Sequence, residues 1–202
     1  NNQTADDWGQ VKKLTASDGA ANDYFGWSVS ISGDTIVVGA YGDDDLGSTS
    51  GSAYVFTRNQ DGADNWGQVT KLTASDGAAS DEFGCSVSIS GDTIVVGAHW
   101  DDDNGNKSGS AYTYVQQGDA WTQISKPVAA DAATGDNFGY SVSVSGDTCV
   151  VGAFGDNANQ GAAYVFVRNN QTGDDWGQVK KLTASDGFWS DDFGYSVSVS
   201  GD

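Results

Sequence analysis

One stretch of sixteen residues, FGWSVSISGDTIVVGA at 25–40, recurs along the chain, and that recurrence limits the fold more than any other feature. Phe83-Gly84 opens FGCSVSISGDTIVVGA, Phe138-Gly139 opens FGYSVSVSGDTCVVGA, and Phe193-Gly194 opens FGYSVSVSGD. The spacings are 83−25=58, 138−83=55 and 193−138=55, and Trp8, Trp66, Trp121 and Trp176 keep the same beat. Within each copy Phe25, Trp27, Val29 and Ile31 alternate with Ser28, Ser30 and Ser32, which is the period of a strand. Gly33-Asp34 then makes a tight hairpin turn with Gly first, as a type II′ turn prefers. The run Thr35–Ala40 is almost wholly apolar, as suits a strand covered on both faces. Repeats of this length made only of strands point to propeller blades, because one unit cannot bury its own face.

Each round reads as four strands: A from Phe-Gly, B through IVVGA, C through AYVF, and D from Trp. The fold class is all-β, a β-propeller of four-stranded antiparallel blades forming one segment over residues 1–202. Blades fall at about 25–73, 83–128 and 138–183, with odd strands at 8–15 and 194–200. Three blades cannot close a ring, since propellers close with about four to eight. The chain as given is therefore open, either a segment of a longer propeller or one unit of an assembly. Met is absent and no leader is visible, so the expectation is a processed end or a piece of something larger.

Composition narrows function. The net charge is −19, and Glu82 is the only Glu among 28 acidic residues, so 28−1=27 are Asp. Asp favours tight turns, local backbone bonds and oxygen-ligand cation sites. Such a charge argues against nucleic acid or anionic membranes as partners, and no apolar run is long enough to cross a bilayer. With one His and two Cys, catalytic and zinc constellations have little raw material. Cys85 and Cys149 replace core residues at different strand positions and read as buried thiols, a bridge being the alternative. Three N-glycosylation sequons begin at Asn2, Asn106 and Asn170.

The pairing of Phe25-Gly26 with Gly39-Ala40, Phe83-Gly84 with Gly97-Ala98, and Phe138-Gly139 with Gly152-Ala153 resembles the FG-GAP repeat of integrin α-subunit propellers and their microbial and fungal relatives. The strand Gly51–Phe56 resembles the family's Gly-Ala-Val-Tyr. The resemblance implies an extracellular or cell-surface propeller that is not an enzyme. Two departures stand out. The Pro that follows Gly-Ala in the family is Tyr41, His99 and Phe154 here. The family's calcium loops lie between strands A and B, where this chain has only Gly-Asp, too short to wrap a cation with about six to eight oxygens.

The acidic loops remain as candidates. Asp43 and Asp45, then Asp101 and Asp103, then Asp156 occupy the B–C loops, and a meander brings them towards Asp18 and Asp23, Asp76 and Asp81, and Asp131 and Asp136 of the D–A loops. Crowded hard oxygens suit Ca2+; equally, such Asp cap turns and keep Gly-rich loops soluble. His99, Trp100, Phe188 and Trp189 break the repeat in loops and are the candidate ligand-binding residues. The repeat-keeping Phe and Trp read as wedges between sheets. The functional expectation is adhesion or surface recognition through the D–A and B–C loop face, with a protein or carbohydrate ligand. The alternatives are a structural subunit that joins further copies of itself head to tail, and a lectin-like binder.

Overall fold

The computed structural model describes residues 9–60, 62–63, 65–169 and 175–201. Three four-stranded sheets follow one another: β1 (Val29–Ser32) to β4 (Gly67–Leu72), β5 (Ser86–Ser90) to β8 (Ala120–Ser125), and β9 (Ser141–Ser145) to β12 (Asp175–Leu182). Each is an antiparallel meander in sequence order. Ser32 pairs with Thr35 across Gly33-Asp34. Gly33, Gly91 and Gly146 all take positive φ, as the first position of a II′ turn requires. Strands C and D slip register once per sheet, between Val55 and Phe56, Thr113 and Tyr114, and Val165 and Phe166.

The blades meet through their A strands, with β1 beside β5 and β5 beside β9. The serine face of one A strand bonds the next. The backbone N–H groups of Val87, Ile89 and Gly91 donate to Ser28, Ser30 and Ser32 Oγ at 3.0, 3.2 and 3.0 Å. Val144 and Gly146 donate likewise to Ser88 and Ser90 at 3.0 and 3.1 Å. A strand edge that would otherwise present bare donors is thus capped by side chains of its neighbour.

Gly-Ala and Phe-Gly serve one contact. A Cβ on Gly39 would stand 2.0 Å from the Gly84 carbonyl oxygen, and one on Gly97 would stand 1.9 Å from that of Gly139. Only glycine lets consecutive blades approach this closely. Phe83 and Phe138 fill the space beside them, fully buried and edge-on to Tyr112 and Tyr164 at 5.3 and 5.5 Å. The wedge reading of the phenylalanines therefore holds for the inner blades. Cys85 and Cys149 are buried free thiols, unpaired as expected.

The odd strands differ from expectation. Residues 9–15 and 194–200 form no strand, and Trp8 lies outside the described residues. Both still pack in place. Leu14 and Ala16 lie against Val38, Tyr54 and Phe56, while Val199 and Gly201 N–H donate to Ser143 and Ser145 Oγ at 3.0 and 3.2 Å. Asp156–Asn159 form a left-handed turn, with positive φ at Asn157, Ala158 and Asn159.

Candidate functional site

The D–A and B–C loops emerge on one face, and their aspartates divide into two groups. Among the described residues, Asp23, Asp81 and Asp136 make no ion pair with the lysines of the B–C clusters. Each turns back on its own loop, accepting from the N–H of Ala20, Ala78 and Ala133 at 2.5, 2.7 and 2.7 Å. Burial raises the Asp81 and Asp136 carboxyls above the usual range, against the backbone bonds that lower them.

Asp18, Asp43 and Asp45 do converge, with ligand atoms within 4.8 Å of one another, the arrangement expected for a hard cation. In this structure a lysine stands among them. Lys71 Nζ, from β4, lies 2.8, 2.9 and 2.5 Å from Asp18, Asp43 and Asp45. Tyr54 OH, from β3 (Ser52–Thr57), donates between Asp18 and Asp43 at 2.9 Å to each. The second blade repeats this with Lys126 at 2.8, 2.9 and 2.6 Å from Asp76, Asp101 and Asp103, beside Tyr112. In the third, Lys181 meets Asp131 and Asp156 at 2.7 Å each, beside Tyr164, and Ala158 replaces the third carboxylate. A cavity of about 410 Å3 opens there, lined by Asp131, Asp136, Asp156, Asn157, Gln160 and Lys181 among others.

The ammonium sets the charge of these clusters. The Lys71 hydrogen bond is the main cause holding Asp18 below its usual value. Burial pushes Asp43, Asp76 and Asp131 up, but the lysine and tyrosine bonds outweigh it and all three end lower. For the lysines burial works downward, and the carboxylates raise Lys71, Lys126 and Lys181 in spite of it. Any cation entering these clusters has to compete with a resident ammonium. Lysines in strand D also suit an outer sheet edge, where charge deters pairing with another chain. Their spacing was an available signal: 126−71=55 and 181−126=55, the beat of the repeat.

Nearer the A strands the same face carries rings. Tyr24 stacks on Tyr41 at 4.8 Å, Trp27 meets Tyr41 edge-on at 5.0 Å, and Tyr140 contacts His99, Phe154 and Tyr195 at 5.2, 4.7 and 4.7 Å. His99 and Trp100 lie together in this belt, with ring centroids 5.5 Å apart. Lys107 Nζ sits 3.7 Å over the Trp100 ring, in cation–π contact. His99 Nε2 is 3.5 Å from Glu82, but burial lowers the imidazole to about 4, so the pair is not ionic at neutral pH. Phe188 and Trp189 lie in the fourth D–A loop, 74% and 69% exposed, where earlier repeats have Ala or Thr. Asn106 is exposed in the second B–C loop, and Asn2 and Asn170 lie outside the described residues.

Blades joined by serine-capped A strands, with glycine contacts between Gly-Ala and Phe-Gly, define a propeller-type repeat protein. The FG-GAP repeat family matches four times, at residues 8–56, 66–114, 121–166 and 176–202, and the chain belongs to it. No curated protein matches the chain.

Proposed function

We propose that this chain is a non-enzymatic recognition module, extracellular or at the cell surface, that holds a protein or carbohydrate ligand on its D–A and B–C loop face in adhesion. The observation that carries this reading is the exposure of three large aromatic side chains, Trp27 in the first blade and Phe188 and Trp189 in the fourth D–A loop. Large rings with little entropy to lose are the usual anchors of recognition surfaces. Acid–base chemistry finds no support there: His99 is neutral, and burial pushes the Cys85 thiol up to about 12. The test is binding of the immobilised protein to panels of glycans and matrix proteins, with Phe188→Ala/Trp189→Ala and Trp27→Ala beside it. Weakened binding in these variants is expected. Binding to neither panel, or binding indifferent to the variants, would count against the reading.

A second reading, head-to-tail assembly with further copies, has its own support. Val29 and Ile31 are 64% and 61% exposed, whereas Val87 and Ile89, covered by the preceding blade, are 6% and 5% exposed. Ser198 and Ser200 continue the serine pattern at the other end. Light scattering and negative-stain microscopy decide between the readings, because a long polymer supports assembly and a discrete particle supports recognition.

A further inference from the structure

The second repeat departs from the other repeats at three positions that meet in space. Cys85 stands where they have Trp27, Tyr140 and Tyr195; Glu82 stands at Tyr24, Asn137 and Asp192; His99 stands at Tyr41 and Phe154. The small cysteine leaves unfilled the volume that an aromatic ring takes elsewhere. A cavity of about 220 Å3 results, bounded by Trp27, Tyr41, Glu82, Cys85, His99 and Tyr140.

We propose that this cavity is a binding site for a primary alkylammonium group. Trp27 with Tyr41 and His99 with Tyr140 form two ring pairs in its wall, 5.0 and 5.2 Å between centroids. Aromatic faces attract cations. Glu82 supplies the one carboxylate among the lining residues. His99 is 8% exposed, and its Nδ1 has no hydrogen-bond partner among the described residues. With Nε2 turned towards Glu82, Nδ1 is left as an acceptor for an N–H group. Two acceptors and four rings suit a protonated amine on an aliphatic stem. A sugar would call for more polar partners than this wall provides.

Other chemistries fit worse. The donor atoms of Glu82, Cys85 and His99 do not converge as metal ligands; among the described residues only Asp18, Asp43 and Asp45 do. Cys85 Sγ lies 3.4 Å from the Gly97 carbonyl oxygen and has no basic partner among the described residues. The cavity lies on the face assigned above to recognition and does not depend on that assignment, since a free amine suffices to fill it.

The test is a calorimetric titration with Nα-acetyl-lysine amide, compared with its Nε-acetylated form, which keeps the stem and loses the charge. Saturable binding of the charged form, at least about ten-fold tighter than the neutral form, is the expected result. Cys85→Tyr, which refills the cavity with the residue of repeats three and four, is expected to abolish it. Glu82→Asn is expected to weaken it at least about ten-fold without loss of folding. Asn137 holds the equivalent position in the third repeat with the same positive φ as Glu82, a region that Asn tolerates well. Absence of saturation, equal binding of the neutral form, or wild-type affinity in a folded Glu82→Asn variant would each overturn the site.

Discussion

Lys71 shows how one residue redirects the meaning of several others. Asp18, Asp43 and Asp45 have the spacing of a cation site, and the ammonium of Lys71 stands among them with Tyr54 completing the hydrogen bonds. Lys71→Met leaves Asp43, whose side chain is 5% exposed, without a counter-charge. Breaking a fully buried pair costs about 3–5 kcal/mol, and the half-exposed Asp18 and Asp45 reduce that here to roughly 2 kcal/mol. A denaturant midpoint shifted by that amount is expected. The wild-type midpoint is expected to be the same in calcium and in chelator; a rise with calcium would mean the ion displaces or joins the lysine. None of this was readable locally. Asp18 and Asp23 are five positions apart in one loop. One turns to the lysine and the other to Ala20 N–H, and the choice depends on where β4 lies.

At the scale of elements, the paired glycines carry the contact between blades. Gly39→Ala places a methyl against the Gly84 backbone of the next blade, where no flexible side chain can yield. A loss of about 3 kcal/mol in a urea melt is expected, the upper range for overpacking. Gly33→Ala is the control. An added Cβ there meets no neighbouring atom, but the residue sits in the left-handed region. Only its own conformational cost of about 1 kcal/mol should therefore appear. A loss at Gly39 no larger than that at Gly33 would mean that the blades yield at this contact. The strands and hairpin turns were legible because alternation and Gly-Asp act within a few residues. The serine face was legible as a face. That its hydroxyls cap the next blade was not, since partners such as Ser28 and Val87 are 59 positions apart.

For the whole molecule, the titrating clusters set a pH window. Asp18, Asp43, Asp76 and Asp131 are lower in the folded state than their ordinary value of 3.8. Their contribution is therefore present above that value and lost as pH falls below it. Asp81, Asp136 and Glu82 are raised; protonating them on acidification favours the folded state and opposes that loss. The lysines and tyrosines of the clusters are also raised, from 10.5 and 10.0. Their contribution is complete below those values and erodes above about 10, with nothing among these clusters opposing it. Melting temperature across pH should therefore show a shallow acid limb and a steeper alkaline one. A steeper acid limb would mean the raised carboxyls are more solvated than this packing implies.

The sequence by itself determined the repeat, the four strands of each blade, the turns between A and B, and the buried fate of Phe83, Phe138 and both cysteines. Those properties follow from period, turn chemistry and residue size, which act over short distances or recur visibly. Tertiary structure decided which aspartates meet a lysine, that Gly39 and Gly84 touch, and that Cys85 leaves a cavity. Each of those outcomes depends on a partner about one repeat away or on a volume left empty, and neither has a local signature in the chain.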